Sequence, residues 1–186
     1  MCETVDTLRC PLDSDPPLLN AYAIGTMRRN AIAIATLRIA VGLFFAVFGE
    51  YKVFGTDFTL RGGFQDGVRG FLSSGSAYPF MIPFLRGILK YAAVPVAFLV
   101  AYGELAIGLS LISGILSRIA SGFGFVLMML LWLSGGYPGA HAAFWAYWAS
   151  SENWTVLALC FAVMIIGHPD ERYSLGRAIR NLRAAR

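Results

Sequence analysis

Long apolar runs broken by brief polar segments dominate this chain. From Ile119 to Ser151 there is no Asp, Glu, Lys or Arg. Roughly 20 apolar residues cross a bilayer core, so that stretch predicts a spanning helix followed by a loop. The same pattern places a first span over about Ala31–Phe54, after Arg28 and Arg29 and with Lys52 at its far end. A second span runs over about Ile88–Gly114 with Pro95 inside it, a third over Ile119–Leu133 and a fourth over Trp154–Gly167. Pro95 lacks a backbone N–H, which frees one carbonyl and kinks the second helix. Ser117 and Arg118 leave room only for a tight turn, so the second and third helices are antiparallel neighbours. The segment Gly55–Leu85 is rich in Gly, Ser and Phe, and the spacing of Phe64, Val68, Phe71 and Leu72 predicts a short amphipathic helix at the interface. Tyr137, Phe144, Trp145, Tyr147 and Trp148 cluster where an aromatic belt is expected. The pattern therefore predicts an all-α membrane protein: a four-transmembrane-helix bundle with an interfacial amphipathic segment between helices 1 and 2. Residues 1–30 form a cytoplasmic tail, 31–168 the membrane domain and 169–186 a basic cytoplasmic tail.

Composition agrees. Hydrophobic residues make up 57% of the 186-residue chain and charged residues 14%; ordinary soluble domains are about 45–50% apolar. The formal net charge of +4 comes largely from terminal arginines and reads as topology, not nucleic-acid binding. With the N-terminus inside, cytoplasmic segments hold ten of the 15 Lys and Arg residues and outer segments five, Lys52, Arg61, Arg69, Arg86 and Lys90. The positive-inside rule then places both termini in the cytoplasm, across an inner membrane. No cleavable signal peptide is expected, since the first 30 residues contain acidic groups and no apolar core. Cys2, Cys10 and Cys160 are too scattered for a disulfide framework or a metal site. His141 and His168 lie near span ends, unlike axial haem ligands inside a bundle.

Ionisable groups inside spanning helices are costly and mark a pathway, a ligand or a structural ion pair. Arg38, Gly42, Phe45, Gly49 and Lys52 are spaced 4, 3, 4, 3 and share one face of the first helix. Glu104, Gly108, Leu111 and Arg118 share a face on the second. Glu104 lies about ten residues from the turn, roughly 15 Å deep, where a short carboxylate must be paired, protonated or facing water. Arg38 is the expected partner. A register-fixing ion pair and a snorkelling arginine are the structural alternatives for Arg38 and Arg118. Glu50 and Lys52, near a boundary, are read most simply as surface charges on physics alone.

The run Leu37-Arg38-Ile39-Ala40-Val41-Gly42-Leu43-Phe44-Phe45, then Gly49-Glu50-Tyr51-Lys52, resembles the opening helix of the DoxX/DoxD family. Gly103-Glu104-Leu105 with Gly108 one turn on, then Gly114 and Arg118, is similar to that family's second helix. Gly70-Phe71-Leu72 is similar to its DoxD-like branch. Arg172-Tyr173-Ser174-Leu175 is a further match, with Gly176 where relatives often carry Asp. The resemblance implies a membrane component of redox metabolism. DoxD-type members are subunits of thiosulfate:quinone oxidoreductase, and other members belong to membrane thiol-homeostasis complexes. Carried onto this chain, it implies Glu104 and Arg38 as catalytic groups, with Glu104 shuttling quinol protons. Lys52, Glu50, Arg118, Gly42, Phe45, Gly49 and Gly108 would bind substrate, and a quinone slot would lie between the first and second helices. Lys52, Arg61, Arg69 and Arg86 would hold a sulfur anion. Quinone is the cofactor implied; no haem, flavin or metal motif is present. Expected partners are membrane lipid, further redox subunits and a second copy of the chain. The alternative is a non-catalytic anchor or accessory subunit of a larger complex.

Overall fold

A computed structural model describes residues 16–150 and 152–167. In chain order the helices are α1 (Pro16–Phe54), α2 (Thr56–Thr59), α3 (Gly63–Ser73), α4 (Met81–Gly87), a π turn (Ile88–Ala92), α5 (Ala93–Ser113), α6 (Ser117–Gly135), α7 (Ala146–Ala149) and α8 (Glu152–Ile166). No strand occurs among the described residues. Arg28–Phe54, Met81–Ser113 and Ser117–Gly135 are long and apolar enough to cross a membrane; Asn153–Ile166 is a shorter apolar helix. Residues 16–30, expected as tail, belong to α1. The remainder of that tail and the C-terminal tail lie outside the described residues.

The two principal packing partnerships are α1 with α5 and α6 with α8, and α5 also meets α6. One core joins the four, built on Val41, Phe45, Leu111, Met128, Phe161 and Met164. Phe161 stands edge-on to Phe45, with centroids 5.1 Å apart, and presses against Gly124, where a side chain would collide with its ring. Cys160 packs against this core as an apolar residue. Leu43, Phe44, Val47, Leu99, Phe123 and Val163 point outward. In water such a surface would aggregate; around a membrane bundle it faces lipid.

The α5–α6 turn is tight, as expected. Gly114 ends α5 at φ +72, its N–H bonding Ser110 O at 2.9 Å, and Leu116 takes φ 56, a left-handed geometry costly for a branched side chain. Ser117 and Arg118 belong to the first turn of α6 rather than to the connection.

The second expected span differs from a straight rod. Tyr78 N–H donates to Leu133 O at 3.0 Å, so the start of α4 lies beside the end of α6. Counting back along the α5–α6 hairpin, Leu133 is level with about Ala97. A straight helix would carry Met81 roughly 24 Å beyond that level. The chain instead bends at the π turn, where Ala92 has φ −142 and ψ 22. Pro95 causes this: its ring crowds the carbonyl of Tyr91 and it offers no N–H, so the preceding turn widens. Helix α4 therefore folds over toward α6 and packs with α3 around Val68, Ala77 and Leu85, with Phe64 and Leu72 alongside.

Candidate functional site

Three glycines set how α1 meets α5. A Cβ on Gly49 would stand 2.7 Å from Leu105 Cα; on Gly108, 2.8 Å from Ala46 Cα and 2.9 Å from Gly42 O; on Gly42, 2.9 Å from Leu111 Cβ. The helices are therefore in backbone contact, as small residues permit between membrane helices. Each step forward along α1 is matched by a step back along α5: 42 with 111–112, 46 with 108, 49 with 105.

This register decides which cation meets Glu104. Arg38 falls opposite Ile115–Leu116, about 17 Å along the axis from Glu104, so the expected Arg38–Glu104 approach does not occur. Lys52 falls opposite Tyr102, and its Nζ donates to Oε1 and Oε2 of Glu104, both at 2.6 Å. The side chain of Lys52 is 22% exposed and that of Glu104 6%. Phe58, on α2, lies under the ammonium with its centroid 5.0 Å from Nζ, a cation–π contact. Thr59 is buried alongside in the same helix. The assumed start of the first span at Ala31 gave Arg38 the wrong height, and it overlooked Lys52 as the ion-pair partner. Arg38 is nonetheless fully buried, at the opposite end of the bundle from Lys52.

The remaining expected site residues do not gather round this pair. Glu50 and Arg118 are exposed. Phe45 is enclosed by Phe161, and Gly42, Gly49 and Gly108 are filled by the facing helix. Among the described residues, the close contact at these three glycines leaves no ring-sized slot between α1 and α5. The basic set does not converge on an anion site either: Arg61 binds Asp57 at 3.1 Å and Arg69 binds Asp66 at 2.9 Å, both on exposed helix faces.

The open volume lies elsewhere. A cleft of about 900 Å³ runs between α5 and α6, with Gly103 and Ile107 on one wall, Phe123 and Leu127 on the other, and Phe71 of α3 and Phe84 of α4 across one end. Gly103 directly precedes Glu104 and Ile107 lies three residues after it, both on the side of α5 turned from α1. Glu104 thus stands behind the cleft wall, held by Lys52. No spacing in the sequence signals this cleft, since one of its ends is covered only by the fold-over of α4.

At the same end an aromatic cluster ties the loops down. Tyr78, Trp132, Tyr137, Tyr147 and Trp148 are in ring contact. Trp132 Nε1 donates to Tyr147 O at 3.3 Å, and Ser150 Oγ to Gly136 O at 2.7 Å. Burial, then the neighbouring Tyr147 and Tyr137, push the Tyr78 phenol above its ordinary range.

The DoxX family model matches residues 33–136, more than half of the chain. The chain belongs to the DoxX family. The match takes in α1 from residue 33 onward, the whole α2–α4 segment, α5 and α6, and so both members of the Lys52–Glu104 pair. No curated protein and no solved structure matches this DoxX protein.

Proposed function

We propose that this DoxX protein is the quinone-facing membrane subunit of a redox system of the thiosulfate:quinone oxidoreductase type. The observation carrying this reading is the Lys52–Glu104 pair. Quinone reduction takes up two electrons and two protons, and protons must be delivered into hydrocarbon. Lys52, partly exposed, and Glu104, buried on the α1 side of α5 behind the cleft wall, form a two-group path for them. Arg61 and Arg69 are engaged by their own carboxylates, which favours a sulfur donor oxidised on a partner subunit, with this chain serving the quinone side.

In this reading α8 is the fourth span, shorter than the rest. Helix α3 lies at the interface, Val68 inward and Asp66 and Arg69 outward. Both termini are cytoplasmic, in an inner membrane. Reporter fusions after Arg118 and Arg186 are expected to register cytoplasm, and fusions near Ser74 and Ala149 the outside. A cytoplasmic signal at Ser74 would invert the arrangement.

The functional test uses Glu104→Gln, which keeps hydrogen bonding and removes the titratable group. Thiosulfate-dependent quinone reduction in membranes carrying the variant should fall by roughly 10²–10⁴-fold, the usual contribution of a positioned acid or base. The neutral pair Lys52→Met with Glu104→Leu separates this from a structural role. Activity should stay low even where stability returns. Full turnover in the double variant would assign the pair to architecture alone, and unchanged quinone reduction in cells lacking the protein would reject the functional reading altogether.

A further inference from the structure

We infer that the outward face of α1 around Glu50 receives a membrane-spanning helix of a partner protein, one that carries a lysine or arginine near the middle of the bilayer. Depth and charge define this surface, whether or not the chain handles quinone.

Glu50 stands on the lipid side of α1. Leu43, Val47 and Phe54 are each more than half exposed, and with Glu50 they repeat at intervals of 4, 3 and 4, so the four share one stripe. Glu50 is itself exposed and projects roughly 200° round the helix from Lys52, away from the pair that Lys52 makes with Glu104. Among the described residues Asp57, Asp66 and Glu104 each meet a basic partner; Glu50 meets none. The helix register fixes its depth. Gly49 faces Leu105 across the α1–α5 contact, which sets Glu50 level with Glu104, and the α5–α6 hairpin sets Glu104 level with about Val126. Val126 is the midpoint of α6 (Ser117–Gly135), a helix long and apolar enough to cross a membrane. Glu50 therefore lies about 13 Å from the Gly135 end, close to the centre of a hydrocarbon core roughly 30 Å thick. It is not the boundary charge that its place near the end of α1 suggests, because α1 stops roughly 7 Å short of the α6 terminus.

Depth limits what can meet this carboxylate. A glutamate is too short to snorkel over such a distance, and an ionised group left in hydrocarbon is costly. Phospholipid heads stay at the boundary. A loop cannot enter lipid without leaving its backbone N–H and C=O groups unpaired, whereas a helix satisfies its own backbone and can carry a cation to that level. A second copy of this chain does not supply one. At mid-depth the described ionisable groups are Glu50, Lys52 and Glu104, and the last two are bound to each other. Residues 123–129 of α6 and 156–162 of α8 contain no charged group at all. A copy at the same depth, upright or inverted, would set Glu50 against apolar side chains or against another Glu50. The complement of this face is therefore a helix of a different protein, apolar along its length and cationic at its middle, where low dielectric strengthens the attraction.

The test uses the full chain, fluorescently labelled, in phosphatidylcholine vesicles with synthetic Leu–Ala spanning peptides of about 20 residues that differ only at the central position. Energy transfer reads their association. A Lys-centred peptide is expected to bind about tenfold more tightly than a Leu-centred one, equivalent to 1.4 kcal/mol. Glu50→Gln should erase that difference with an unchanged thermal transition, and Glu50→Lys should reverse it in favour of a Glu-centred peptide. In native membranes a photocrosslinking residue at Val47 should capture an apolar segment with Lys or Arg near its middle, and Glu50→Gln should abolish the capture. Four outcomes would each overturn the proposal: equal binding of the Lys-centred and Leu-centred peptides, equal binding of an Asn-centred peptide, undiminished binding when the lysine is moved four residues (roughly 6 Å) along the peptide, or capture of a second copy of this chain. Neither readout involves turnover, so a chain that never reduces quinone but selects the Lys-centred peptide would reject only the functional reading. Turnover without that selection would reject only the docking face.

Discussion

Lys52→Met is expected to destabilise the protein by about 3–5 kcal/mol, the usual consequence of leaving a buried charge without its partner. Glu104 is 4% exposed and too short to reach water from inside the α1–α5 contact. Glu104→Leu should cost less, because the long Lys52 side chain, already partly exposed, can turn outward once released. The double variant Lys52→Met with Glu104→Leu should regain most of the loss, since the desolvation of two charges is removed together with their attraction. Denaturant titration in mild detergent, taken round the double-mutant cycle, reads all three values. Equal, additive losses for the two single variants would show that the ion pair contributes no coupling.

That this pair includes Lys52 and not Arg38 marks how far sequence could go. The apolar runs were enough to locate α1 and α6, because a bilayer fixes the length of a spanning helix whatever packs beside it, and to mark the shorter apolar helix α8. The 4, 3, 4, 3 stripe from Arg38 to Lys52 placed the polar face of α1 correctly. Which cation on that face meets Glu104 depends on the offset between two helices, and that offset is set by backbone contacts at Gly49 and Gly108. A glycine stripe reads equally as a slot for a ligand or as a surface for a neighbouring helix; only the facing backbone distinguishes them. The fold-over of α4 was hidden for a different reason. Met81–Leu85 is as apolar as any span, and Pro95 signals a kink without its direction. A helix at α3 was legible from the spacing of Phe64, Val68, Phe71 and Leu72, and Val68 is buried with Phe64 and Leu72 beside it; the roof it makes with α4 was not.

The offset also yields the sharpest contrast in stability among the glycines. Gly122→Ala in α6 meets nothing within 4 Å and should stabilise the helix slightly, by about 0.5–1 kcal/mol, through the lower backbone entropy of alanine. Gly108→Ala adds the same methyl group where it meets Ala46 Cα at 2.8 Å and Gly42 O at 2.9 Å. Those atoms are backbone, so no rotamer change relieves the overlap and the two helices must separate. A loss of about 3 kcal/mol or more is expected, at the upper end for overpacking. Separation would also draw Lys52 from Glu104, so the variant should lose much of the ion-pair coupling measured in the cycle above. Thermal unfolding of both variants in the same detergent, with the Lys52–Glu104 cycle repeated in the Gly108→Ala background, tests the two consequences together. Gly108→Ala unfolding like the wild type, with the coupling intact, would mean that α1 and α5 do not meet through their backbones, and the register that pairs Lys52 with Glu104 would have to be redrawn.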